Sequence, residues 1–277
     1  MGLIGVCGAT GRLGGRVAQR LADAGIAQRL VVRDAGRAPR LPGAEVAEAE
    51  YGDPEAVRRA LDGAGTVLMV SASETPDRVG RHCAFVDAAV AAGVSRLVYT
   101  SFVSAAPDSV FTLARDHWAT EEHIRASGLE FTFLRDNLYA DFLTFLVGDD
   151  GVIRGPAGDG RAAVVVQDDI ADAAVAVLRD PAPHTGRTYD LTGPQALSLD
   201  DIAATITEVT GRKVRFHDET LDEAYASRAS YGAPDWQVDA WVSTYTSVAA
   251  GELSTVSTAV QELTGRPATS LAELLRR

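Results

Sequence analysis

The chain has 277 residues, with 26 lysines plus arginines against 38 aspartates plus glutamates; the resulting −12 and the lack of a basic tail or stripe exclude a nucleic-acid-binding surface. This length supplies a core that folds without staples, the two cysteines (Cys7 and Cys83) make no disulfide framework and fit a reducing, cytoplasmic setting, and no stretch approaches the ~18 apolar residues of a membrane span. Lys213 is the only lysine; it follows Arg212 and stands four places after Val209, which removes both a Gly-Lys-Ser/Thr phosphate loop and a Tyr-x-x-x-Lys pair.

The start, Met1-Gly2-Leu3-Ile4-Gly5, has no basic region or cleavage site and reads as mature protein. Residues 3–7 form a short apolar run that ends in a glycine-rich turn, and 12–24 carry Leu13, Val17, Leu21 and Ala24 on one helical face. Short strands are predicted at 30–32, 66–70, 97–100 and 130–134, with helices at 54–61, 77–92 and 108–127 between them. Gly93 and Gly128 sit where helix C-terminal glycines belong. Further on, 148–160 is rich in Gly and Asp and reads as loop, 170–178 as helix and 188–191 as strand. Ser198 caps a helix running to 209, and the remainder is mixed helix. The alternation predicts an α/β fold: a Rossmann-type doubly wound parallel sheet with a smaller mixed C-terminal substrate lobe. The expected division is 1–135 plus 164–194 for the dinucleotide-binding core and 136–163 plus 195–277 for the interleaved lobe.

The turn Gly8-Ala9-Thr10-Gly11-Arg12-Leu13-Gly14 lies between the first strand and the first helix. A dinucleotide pyrophosphate needs close backbone approach on the positive end of a helix dipole, so this context points to dinucleotide binding by Gly8, Ala9, Thr10, Gly11, Arg12 and Leu13. The second strand closes on Val32-Arg33-Asp34. Arg33 suits the 2′-phosphate of NADP through charge-assisted bonds; the competing assignment gives the ribose hydroxyl to Asp34 and leaves Arg33 as a surface charge.

With those residues in place, the chain resembles the atypical short-chain dehydrogenases of the NmrA-like family, and within it the type 2 quinone reductases. The resemblance rests on Gly-Ala-Thr-Gly-x-Leu-Gly, Val32-Arg33-Asp34, Glu50-Tyr51-Gly52-Asp53, Tyr99-Thr100-Ser101, His117-x-x-Thr120-Glu121 and Leu134-Arg135-Asp136-Asn137. It implies that Ser71, Ala72 and Ser73 line the nicotinamide-ribose side and that Asp136 and Asn137 border the nicotinamide. It places Leu138 and Tyr139 against the substrate, with Leu138 standing where some relatives carry a larger aromatic.

Ordinary short-chain dehydrogenases use a Tyr and a Lys; His117 and Glu121 stand at those places here. Four residues apart on a helix they share a face, and a carboxylate beside the imidazole would favour an imidazolium able to protonate an acceptor oxygen. The alternative is a structural pair on a partly exposed helix. Phe102 is a candidate for an apolar wall against a flat substrate, His82 reads as packing, and no His-Glu-x-x-His spacing suggests a metal. The expected activity is NADPH-dependent hydride transfer to a quinone or to a conjugated or polycyclic aromatic ketone. The rival is a non-catalytic NADP(H)-binding redox sensor acting on a protein partner. Neither nucleic acid nor membrane is an expected partner, and a homodimer is compatible with either reading.

Overall fold

The computed structural model describes residues 2–277. It divides the chain into two compact units, one of Met1–Ser101, Asp116–Arg135 and Asp168–Tyr189, the other of Phe102–Arg115, Asp136–Gln167 and Asp190–Arg277.

The first unit is organised by strands β1 (Leu3–Cys7), β2 (Gln28–Val32), β3 (Ala44–Glu48), β4 (Ala64–Met69), β5 (Arg96–Phe102) and β6 (Glu130–Asp136). With the later strand Arg187–Leu191 they make a seven-stranded sheet in which β1 has β2 and then β3 on one side, and β4, β5, β6 and that late strand follow on the other. β1 runs parallel to β2 and β4, β2 to β3, and β4 to β5. The doubly wound parallel sheet expected from the alternation is present. Its strand order reverses beside β1, so the loops leaving β1 and β4 open at the switch point where α/β sheets receive ligands. Helices α1 (Arg12–Asp23), α2 (Pro54–Leu61), α3 (Arg78–Ala91) and α4 (Thr112–Ala126) intervene. α1 buries Leu13, Val17 and Leu21, as the helical spacing predicts, whereas Ala24, expected on the same face, is the exposed C-cap residue. Asp53 caps α2 by accepting from the Ala56 amide, with Pro54 in the first turn. A fifth helix, α5 (Gln167–Arg179), brings Asp168 and Asp172 to Arg20 of α1, at 2.7 and 2.6 Å, and Asp168 also to Arg16 at 3.2 Å.

In the second unit the segment 148–160, expected as loop, contains strand β7 (Val152–Gly155). It pairs in parallel with β11 (Arg215–Asp218), while β8 (Arg161–Ala162) pairs antiparallel with β10 (Leu197–Ser198); β9 is the late strand Arg187–Leu191 already placed in the large sheet. Ser198 caps α6 (Leu199–Thr210) through a reciprocal box with Asp201. Helices α7 (Leu221–Arg228) and α8 (Asp235–Ala249) follow. A core of Phe102, Phe111, Ile153, Val164, Leu199, Ile202 and Val248 among others holds this unit together. Among the described residues, no helix is long and apolar enough to cross a membrane.

Candidate functional site

Gly8 has φ +69°, a left-handed conformation that glycine takes without penalty, and its carbonyl accepts the Gly11 amide at 2.8 Å to close the turn. Gly11 is the N-cap of α1 and offers no side-chain cap, and the first turn of α1 has no acidic residue. The first amides of the helix therefore point out of the turn with the positive end of the dipole behind them. At Gly14 a methyl group would stand 2.6 Å from the Gly8 carbonyl carbon and 2.9 Å from the Cys7 oxygen, both backbone atoms. Gly14→Ala is thus expected to cost about 1–3 kcal/mol of stability by forced backbone shifts, read as a lowered melting temperature, and to loosen the turn for any phosphate it holds.

Past β2, Arg33 is exposed and forms no ion pair among the described residues, whereas Asp34 is engaged in its own turn, its carboxylate accepting the Gly36 amide at 2.9 Å. The loop after β4 is gripped at four backbone groups. Tyr51 donates its hydroxyl to the Val70 carbonyl at 2.7 Å, and the Ser71 amide donates to Thr100 Oγ1 at 2.9 Å. The Ala72 amide donates to His82 Nε2 at 2.9 Å, and Arg78 Nε donates to the Ala72 carbonyl at 2.9 Å. These contacts position Ser71 and Ala72, and Ser73 follows them in the same loop. Sequence reasoning missed the part played by Arg78 and Tyr51, since an arginine at a helix start reads as a surface charge.

His117 and Glu121 do not form the expected pair. Both are buried, at 6% and 0% exposure, so the helix face they share is not a partly exposed one. The Glu121 carboxylate receives Ser101 Oγ at 2.6 Å, Arg135 at 2.7 and 2.8 Å, and Arg125 at 3.0 Å. His117 Nε2 instead accepts from Arg78 Nη2 at 3.0 Å, which leaves Nδ1–H to donate to the Tyr99 hydroxyl at 2.9 Å. Burial first, then the Arg78 guanidinium, drives its pKa well below the usual imidazole range. The imidazolium reading is corrected on these grounds: the carboxylate that would have supported a cation is taken by other donors, and an arginine stands in its place. His82 is likewise neutral. Its Nε2 accepts the Ala72 amide, its Nδ1–H faces Thr120 Oγ1 at 2.9 Å, and burial followed by Arg78 lowers its pKa to about 3.

In the second unit, Asp136 and Asn137 are each 1% exposed. Asn137 ties its segment down, Nδ2 donating to the Leu253 carbonyl at 3.0 Å and Oδ1 accepting the Leu138 amide at 2.7 Å. Leu138 and Tyr139 line a cavity of about 740 Å³ together with Phe142, Phe145, Tyr231 and Trp241. Ring centroids lie 5.8 Å apart from Tyr139 to Phe142 and 6.3 Å from Phe142 to Phe145, and Tyr231 meets Trp241 edge-on at 5.8 Å. Phe145 and Tyr231 are 70% and 72% exposed. The cationic Arg228 at the same cavity is neutralised by buried Glu219 at 2.9 Å. Phe102 is not among the cavity residues; it packs in the core against Phe111, centroids 5.0 Å apart. The lining of this cavity is chiefly apolar and aromatic.

The family model described as NmrA-like family matches residues 1–228. The chain is 34% identical to quinone oxidoreductase 2 of Escherichia coli (strain K12), covering 98% of this chain and 96% of that one. The crystal structure of the Escherichia coli NADPH-dependent quinone oxidoreductase complexed with NADPH superposes with a TM-score of 0.89 at 33% identity, covering 98% of both chains. The Citrobacter sp. triphenylmethane reductase complexed with NADP(H) gives 0.87 at 32% identity over 99% of both.

Proposed function

The chain belongs to the NmrA-like family, and from that premise we propose that it is an NADPH-dependent reductase of quinones or of conjugated and polycyclic aromatic ketones. The observation that carries the reading is the cradle made by Gly8, Gly11 and Gly14 at an uncapped helix N-terminus, with Arg33 exposed beyond the next strand and Asp34 already engaged. The residues fit NADPH: Gly8, Ala9, Thr10, Gly11, Arg12 and Leu13 would hold the pyrophosphate, Arg33 the 2′-phosphate, and Ser71, Ala72 and Ser73 the nicotinamide-ribose side. Bound NADPH supplies the hydride. Asn137 fixes the segment that presents Leu138 and Tyr139 to the acceptor cavity, and the rings along that cavity hold a flat acceptor. His117, neutral and bonded to Arg78 and Tyr99, serves as a positioning residue that steadies Arg78 and through it the Ala72 carbonyl.

The test is NADPH oxidation followed by absorbance with a panel of quinones and polycyclic ketones, with NADH in parallel. Acceptor-dependent turnover that favours NADPH is the expected result. Tight dinucleotide binding without turnover on any acceptor would overturn it and leave the redox-sensor reading.

A further inference from the structure

We propose that Asp136 and Tyr139 form a proton relay to the acceptor, Tyr139 giving its phenolic proton to the acceptor oxygen and the Asp136 carboxyl restoring it. The relay rests on the reading that the cavity of the second unit holds a quinone or ketone.

Tyr139 is half-buried and lines the cavity, with its oxygen 2.9 Å from Asp136 Oδ2. Asp136 is 1% exposed, and its other oxygen, Oδ1, is buried with no hydrogen-bond partner among the described residues. No ion pair to Asp136 is formed among the described residues either. An ionised carboxylate in that setting would carry an unsatisfied buried charge, the costliest arrangement a side chain can adopt, whereas the protonated acid is tolerated. Burial pushes this carboxyl well above the usual range, against the opposing pull of the Tyr139 hydroxyl. As it stands the Tyr139 hydroxyl donates to Asp136 Oδ2; once protonated, the carboxyl can instead donate to the phenol across the same 2.9 Å, leaving the phenolic proton to be given to an acceptor oxygen. His117 is no competitor as a proton source, because its Nε2 accepts from Arg78 and its Nδ1–H points at Tyr99.

The acceptor carbon gains a hydride and its two electrons from NADPH, which is oxidised to NADP. The carbon–oxygen π bond opens and the oxygen takes the proton of Tyr139. The phenolate takes the carboxyl proton of Asp136, and water reprotonates the carboxylate once product has left. An activated quinone can take its proton from water after the hydride has arrived, so a ketone depends on the relay more.

Asp136→Asn separates this role from a structural one. The amide keeps the size and neutrality of the acid and can still donate to Tyr139, but it has no acidic proton to give. With a conjugated ketone, Tyr139→Phe and Asp136→Asn are each expected to lower kcat by about 10²–10⁴-fold while KM and the Kd for NADPH stay within about threefold; 1,4-naphthoquinone should lose less. Infrared difference spectra of the proteins without NADPH should show a protonated-carboxyl stretch at pH 7 that disappears in Asp136→Asn. If wild type turns over both acceptors and Asp136→Asn keeps its ketone rate, or if the carboxyl band is absent, the relay is overturned alone. If wild type oxidises NADPH with neither acceptor, the reading of the cavity falls and takes the relay with it.

Discussion

His82→Gln is expected to flatten the acid side of the stability profile, the stability lost between pH 6.5 and 4.5 being smaller than in wild type by about 2 kcal/mol. The sign follows from the fold. His82 titrates at about 3 in the native protein and near 6.5 in the unfolded chain, so the unfolded chain binds the extra proton first as pH falls. Stability from the neutral imidazole is complete above about 6.5 and is lost progressively toward 3. The geometry explains why the proton is refused: His82 Nε2 already accepts the Ala72 amide, and protonation would set two donors face to face beside the Arg78 cation. Burial and Arg78 move His117 in the same direction and add to the acid loss in both proteins. Asp136 works the other way, because its raised carboxyl is relieved as pH falls, and it cancels in the comparison. Asp168 does not enter this window: burial opposes its ionisation, Arg20 and Arg16 outweigh that, and the carboxyl titrates below the usual range. Thermal melts of both proteins from pH 7.5 to 4.5 measure the difference, and parallel profiles would show that His82 is protonated in the native state. Net stabilities of about 5–15 kcal/mol make a change of this size visible.

Replacing Arg33 by Asp should raise the Kd for NADPH by about 10- to 100-fold, the loss of a charge-assisted bond worth ~1.5–3 kcal/mol, while NADH changes by about threefold or less. Nothing in the described structure competes for the Arg33 guanidinium, so its charge is available to a phosphate without breaking an ion pair, and the fold should be indifferent to its loss. Asp34 is a poor substitute for ribose recognition because its carboxylate is committed to the Gly36 amide. In a chain of net charge −12, a phosphate is held only where cations are local, which concentrates the effect on this strand end. Calorimetric titration of both dinucleotides decides the matter, and equal losses for NADPH and NADH would remove Arg33 from the phosphate site.

Much of the molecule was legible from spacing alone. The apolar face of α1, the glycine turn before it and the capping box at Ser198 all carry local signals, and each forms where its residues predict. What escaped was chemistry that only tertiary packing supplies. β3 is Ala-Glu-Val-Ala-Glu at the margin of the sheet; with one partner strand and much of its surface in solvent, it needs no apolar run and shows none. β7 lies in a glycine- and aspartate-rich stretch and becomes a strand by pairing with β11, some sixty residues later, a partner no local pattern announces. Helical spacing correctly put His117 and Glu121 on one face but said nothing of the arginines that claim them, Arg78 from one helix and Arg135 from the sixth strand. Spacing gives direction along one element, whereas protonation depends on what faces the group from the others.

The first unit is drawn from three separated stretches of chain, the last of them Asp168–Tyr189. During synthesis, which proceeds from the N-terminus, the strands up to β6 leave the ribosome while α5 and the carboxylates that meet Arg16 and Arg20 are still to be made. A nascent chain stalled before residue 168 would hold a glycine turn and most of a sheet with one helix missing, and one stalled after 189 would have every stretch of that unit. The ion pairs that tie α5 to α1 can therefore form only late in translation. By the same logic, no single cut in the chain releases either unit whole.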